Sequence, residues 1–241
     1  MKRILAVLLV TILVFSLVAC GSNEKPVDTN DNSETQDTTI SNSSSDNTTS
    51  GDNNNTFDGT VTEKVVREYK TASEADFVVE DTAGGVRITG YTGKDTIVVI
   101  PEKISGKMVV SLSVNSFGTN CAVRGVLIPS GVKELAGVFA NNANLEVVIW
   151  ESAENAGANL FNSCTKLHTV IFGDKLKTLG ENAFFYCSSI ENLYLPSSIQ
   201  NIDVNIAATI FYLCDKLTIE GETGSYIETF CTEQGLTFKA K

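Results

Sequence analysis

Apolar positions recur along this chain in three different rhythms. Between residues 4 and 18 they run almost unbroken, with only Thr11 and Ser16 intervening. From 21 to 56 they nearly vanish, and Val27 and Ile40 are the only aliphatic residues among Asn, Asp, Ser and Thr. Further on they return as short runs. In the stretch 145–150, Val148 and Trp150 alternate with Val147 and Ile149, which is strand periodicity with both faces apolar. Equivalent runs lie at 98–100, 126–128, 170–172 and 193–195. A Pro or Gly follows each of the other four as a turn: Pro101, Pro129, Gly173 and Pro196. Then come apolar residues three apart, Val109/Leu112, Val132/Leu135, Leu176/Leu179 and Ile199/Ile202, which mark a return stretch.

The runs belong to a repeat. Phe117, Phe139, Phe161, Phe184 and Phe211 are spaced by 22, 22, 23 and 27 residues. Three residues after each stand Asn120, Asn142, Cys164, Cys187 and Cys214, and three further on Val123, Leu145, Leu167, Ile190 and Leu217. A period of this length predicts a solenoid of stacked coils. Strands about 22 residues apart are too close for a helical crossover layer, so they should form one parallel ladder along the stack. The stretch 180–184 and its weaker equivalents predict a short helical turn in each coil. Gly84-Gly85 predicts a hairpin turn before Val86.

The N-terminus carries an address. Met1, Lys2 and Arg3 precede the apolar stretch, which is too short for a membrane span and has the layout of a secretory signal. It ends in Leu17-Val18-Ala19-Cys20-Gly21, which resembles the bacterial lipoprotein lipobox. That resemblance implies cleavage before Cys20 and a lipid on its sulfur, leaving the chain anchored at the extracellular face of the membrane. The expected organisation is a signal peptide at 1–19, a lipidated Cys20 with a disordered tether to 56, and a folded domain over 57–241. The tether buries too little apolar surface to offset its ordering entropy, and it should reach roughly 35 Å.

Charge narrows the partners. The chain has 29 acidic and 18 basic residues, a net charge of −11. Loss of Lys2 and Arg3 would take it to about −13. That balance argues against nucleic acid, which requires a basic face.

The stretch 176–196, reading Leu-Lys-Thr-Leu-Gly-Glu-Asn-Ala-Phe-Phe-Tyr-Cys-Ser-Ser-Ile-Glu-Asn-Leu-Tyr-Leu-Pro, resembles the BspA-like leucine-rich repeat. Residues 86–93 resemble that family's opening hairpin, and 224–230 with 235–238 its closing helix and strand. Repeats would occupy about 94–220 and the closing cap 221–241. The resemblance implies a leucine-rich-repeat solenoid. Such a fold is a right-handed β/α superhelix with a parallel ladder, short helical turns, a hairpin N-cap and a helix-strand C-cap. Two coils depart from the pattern, and the last has extra residues between Ile202 and Phe211. Family members are surface or secreted proteins, often implicated in adhesion, and their repeat motif is a folding motif that transfers no catalytic role.

Chemistry-bearing residues are few. Cys164, Cys187 and Cys214 share a position with Asn, which fits small side chains bonding the turn backbone. Neighbours about 5 Å apart would also be within disulfide range. One histidine and the lack of a Cys-x-x-Cys pair leave no support for zinc, and the tether aspartates lack calcium-loop spacing. His168, beside Leu167, reads as a solvated side chain, so no metal, cofactor or catalytic group is expected. Val99, Leu127, Ile149, Ile171 and Tyr194 should point outward as an apolar rib. Either it is a contact surface with Tyr194 as anchor, or these residues simply suit parallel strands and neighbouring loops cover them. The expected function is non-catalytic binding to a protein or cell-surface component by a monomeric domain. The alternative is recognition of glycan or nutrient, for which Tyr194 and Tyr91 are the aromatic candidates.

Overall fold

The structure, a computed structural model, describes residues 57–119, 121–203 and 210–241. The signal-peptide, Cys20 and tether expectations, and the Asn120 position, therefore lie outside the described residues. Among those described, no helix is long and apolar enough to cross a membrane.

A short helix α1 (Glu63–Glu68) precedes a hairpin of β1 (Phe77–Thr82) and β2 (Gly85–Tyr91), antiparallel as the Gly84-Gly85 turn predicts. Next come β3 (Ile97–Val99), β4 (Lys103–Ile104), β5 (Lys107–Leu112), β6 (Gly125–Leu127), β7 (Glu134–Leu135), β8 (Val147–Trp150), β9 (Asn155–Ala156), β10 (Thr169–Phe172), β11 (Thr178–Leu179), β12 (Asn192–Tyr194), β13 (Asn201–Ile202) and β14 (Thr218–Gly221). Helix α2 (Tyr226–Gln234) and β15 (Thr237–Ala240) close the array.

The main ladder is parallel, in the order β3, β6, β8, β10. Its rows follow the repeat register: Val98, Val126, Val148 and Val170 share one level, and Val99, Leu127, Ile149 and Ile171 the next. Strands β12, β14 and β15 form a second parallel sheet, in which Tyr194 pairs with Glu220 and Glu220 with Lys239. The return stretches form a further ladder of two-residue strands, β7, β9, β11 and β13, which turns Leu135, Ala156, Leu179 and Ile202 inward. Alanine replaces the larger aliphatics at 153 and 156 in the coil that holds Trp150. That indole is fully buried and donates to the Val132 carbonyl at 2.9 Å. Two small residues beside the bulkiest one keep the interior filled without overpacking.

The phenylalanines do stand in file. Ring centroids of Phe117, Phe139, Phe161, Phe184 and Phe211 follow one another at 5.4, 5.9, 5.3 and 5.7 Å. Tyr91 and Phe77 extend the file into the hairpin at 5.3 and 5.2 Å. Tyr91 is thus a member of the interior stack and does not present its ring as a surface platform. Beside the file, the thiols of Cys164, Cys187 and Cys214 donate to the carbonyls of Phe139, Phe161 and Phe184, each one coil back, at 3.0, 3.2 and 3.1 Å. Asn142 does the same work with its amide, donating to Gly118 O at 3.1 Å. This shared use explains why the repeat accepts either residue, Asn142 in one coil and Cys in the three that follow. Cys121, Cys164, Cys187, Cys214 and Cys231 are all free thiols, and burial pushes Cys164 up to about 12 and Cys214 to about 11.

In place of the single helical turn expected in each coil, the described chain makes successive hydrogen-bonded turns with residues in the left-handed region. Asn159 and Ser163 fill these places in one coil, Asn182 and Tyr186 in the next. Asn, Ser or Gly tolerate this conformation, whereas Tyr186 (φ 58) and Leu213 (φ 60) do so at a cost. Leu213 is also 40% exposed, so little packing compensates it. Leu213→Asn is expected to stabilise the fold by about 0.5–1 kcal/mol, read as a raised urea midpoint.

Candidate functional site

The segment 57–72 decides which part of the ladder face is open. Thr62 caps α1 by accepting from the Val65 amide, and Val61 and Val66 are fully buried. They pack with Ile97, Val147 and Ile149 in a core separate from the coil interior. Gly125 makes room for this contact, because a Cβ there would lie 2.7 Å from a Val66 methyl. Polar ties hold the segment down. Arg124 donates to Phe57 O at 2.9 Å while paired with Glu146 at 2.7 Å, and Ala72 N donates to Val99 O at 2.9 Å. Arg67 pairs with Glu151 at 2.7 Å.

The five rib residues therefore have different fates. Val99, Leu127, Ile149 and Ile171 do form one row, but Ile149 is only 1% exposed and does not face solvent. Leu127 and Ile171 pack partly against the same outer core, and Val99 is half-buried. The cause is α1, a tertiary cover made by the chain's own N-terminal segment. Tyr194 lies beyond that cover, on β12.

At this uncovered end the face is a shallow groove of about 490 Å³, lined among others by His168, Ile171, Asn192, Tyr194, Glu220 and Lys241. Its floor is the β10 and β12 surface. Tyr194 is half-buried, with the Lys241 ammonium 4.6 Å from its ring centroid. Desolvation raises the Tyr194 hydroxyl above the ordinary tyrosine value, and the carboxylates of Glu222 and Asp174 push the same way. Glu220 is held below the usual carboxylate range, chiefly by a 2.7 Å bond from Lys239 and in smaller part by Lys241. His168 sits at the rim, its Nδ1 2.9 Å from Thr169 Oγ1 and its Nε2 4.0 Å from Glu146. A floor that mixes Ile171 and Tyr194 with Thr169 and Asn192, under an ionic rim, can bind an extended segment by shape and charge. Among the described residues no group of His, Cys, Asp and Glu is arranged to hold a metal ion.

Three matches with known proteins fit this architecture. The sequence matches the BspA type leucine rich repeat region in six copies across residues 99–220, half of the chain. The chain belongs to the BspA type leucine rich repeat family. It is similar in structure to a leucine rich repeat protein of T. pallidum, at 24% identity and a TM-score of 0.51 over 63% of this chain and 71% of that one. It is also similar to a leucine-rich repeat protein from Bacteroides ovatus ATCC 8483, at 22% identity and a TM-score of 0.50 over 64% of this chain and 47% of that one. The match thus spans less than half of the B. ovatus protein, and at these identities the likeness shows a shared fold. No curated protein matches the chain. The leucine rich repeats run from β3 to β14, so α1 and the hairpin lie outside them, and the groove belongs to the repeats and their closing strand.

The sequence placed Ile171 and Tyr194 in the same row, and the structure puts both in the groove. Lys241 and Glu220 were missed, since their approach to Tyr194 is set by β15 and β14. Repeat register pointed one residue away: with Ile190 matched to Leu217, Gly221 would stand opposite Tyr194, whereas the strands pair Tyr194 with Glu220.

Proposed function

We propose that this leucine rich repeat protein binds another protein through the open end of its ladder face, without catalysis, while held at the extracellular face of a bacterial membrane by lipid on Cys20. The observation that carries the binding reading is the uneven cover. The N-terminal segment buries the apolar face over β3, β6 and β8 but leaves Ile171 and Tyr194 lining a groove. Family membership supports an interaction or adhesion role. The lipobox-like 17–21 stretch supports the anchor.

The test is capture from host matrix and neighbouring cell surfaces by residues 57–241, side by side with Tyr194→Ala. A buried-anchor tyrosine is worth about 2 kcal/mol or more, so affinity should fall at least tenfold with the melting temperature little changed. Equal capture by both proteins removes the groove from the binding site. For the anchor, Cys20→Ala should abolish incorporation of labelled fatty acid into the chain, and unchanged incorporation would remove Cys20 as the lipid site.

A second reading, recognition of glycan, is favoured by a separate feature. Phe185 and Tyr212 stack at 5.2 Å on the turn side, and Tyr212 is 50% and Tyr186 43% exposed. Flat exposed rings of this kind suit the apolar faces of sugars, and loss of glycan binding in Tyr212→Ala would select this reading over the first.

A further inference from the structure

The groove already holds a cation, and it is the chain's own. Lys241 Nζ stands over the Tyr194 ring at 4.6 Å, within cation–π range. No carboxylate among the described residues pairs with it at ion-pair distance. Acidic groups nevertheless surround the place. Glu191 and Glu220 line the groove, Glu222 and Asp174 bear on Tyr194, and Lys241 itself helps to hold Glu220 ionised. Glu220 is engaged by Lys239, whereas Glu191 meets Lys216 only at 3.8 Å with both side chains 64% exposed, a contact of little strength. The groove thus combines an aromatic face, an aliphatic neighbour in Ile171 and a loosely engaged carboxylate. A lysine or arginine side chain requires those three surfaces: the ring for its charge, the aliphatic for its methylene stem, the carboxylate for its donors.

Resting on the binding reading above, we propose that the partner inserts a lysine or arginine side chain between Tyr194 and Glu191, and that Lys241 occupies this place until it is displaced. Lys241 is then an internal competitor: it keeps the ring covered in the free protein and lowers the affinity for incoming cations. Association should be faster at low salt, because the whole chain carries a net charge of −11 and attracts basic partners.

The experiment uses the full chain in an uncharged detergent and measures fluorescence anisotropy of labelled octapeptides that alternate serine with lysine, arginine, glutamine or glutamate. Detergent alone is the blank, and circular dichroism confirms that each variant is folded. The lysine and arginine peptides should bind, the glutamine peptide more weakly, and the glutamate peptide not at all. Lys241→Ala should tighten lysine-peptide binding two- to fivefold, the span that an exposed cation–π contact provides. Tyr194→Ala should weaken it by a similar factor, while Tyr194→Phe retains it. Equal binding of glutamine and lysine peptides, with Tyr194→Ala still weakening both, would overturn the cation inference and leave the groove as a general peptide site. Unchanged or weaker binding in Lys241→Ala would overturn the competitor. Absence of binding by every peptide to Lys241→Ala would overturn the inference as a whole, with the Tyr194 capture experiment still deciding the wider reading.

Discussion

Phe161→Ala should lower the unfolding free energy by about 3–5 kcal/mol, the usual range for emptying a phenylalanine site in a core. Phe161 is fully buried at the middle of the aromatic file, 5.9 Å from Phe139 in a nearly parallel stack and 5.3 Å from Phe184. The cavity would open between coils, where relaxation requires two neighbouring turns to move together. Their positions are fixed by backbone bonds, Phe139 N to Leu160 O at 3.1 Å and Phe161 N to Ala183 O at 2.8 Å, so collapse should be limited. Because each coil is stable only through its neighbours, the loss should appear as one earlier transition of the whole array. Urea unfolding followed by circular dichroism reads this as a lower midpoint with an unchanged slope. A loss under 1 kcal/mol would mean that the file contributes little. Two separated transitions would mean that the coils flanking position 161 fold independently.

The file was legible in the sequence because one bulky residue recurs at a period no other common fold requires. The ladder rows followed from the same register, and the Asn/Cys position from the need for a small donor at each turn. Other features left weaker marks. The return strands β7, β9, β11 and β13 are two residues long, too short for alternation to show. Tyr91 belongs to the file, but it stands 26 residues before Phe117 and arrives from a hairpin. Helix α1 has only six residues, so no helical period develops, and what makes it matter is a contact with strands as much as 83 residues away, Val66 with Ile149. One hint was present: Gly125 stands in a row otherwise held by Ile97, Val147 and Thr169, a gap in the outer face that a side chain from elsewhere fills. The groove shares this character. Ile171 and Tyr194 could be assigned to one face by alternation, but which part of that face is uncovered depends on where α1 docks, and Lys241 reaches the ring only through the pairing of β15 with β14.

That dependence makes Val66→Asp the most telling change at the surface of the array. Val66 is fully buried between α1 and the ladder, against Val61, Ile97 and Ile149. A carboxylate there has no partner, and burying it costs more than releasing the segment. The segment should therefore detach, and the loss is then bounded by its docking energy. Burial of Val61 and Val66 contributes about 3–6 kcal/mol. The exposed Arg67–Glu151 pair adds little. The coil interior does not share this core, so Trp150 should keep its buried emission while the amides of 62–72 lose hydrogen-exchange protection. The rows Ile97, Val147 and Ile149 would then join Ile171 and Tyr194 as one open face, and a hydrophobic dye should bind where it does not bind the parent protein. Simultaneous loss of Trp150 burial would show that the segment is part of the folding unit, because a cover can leave without exposing what lies on the other side of the sheet.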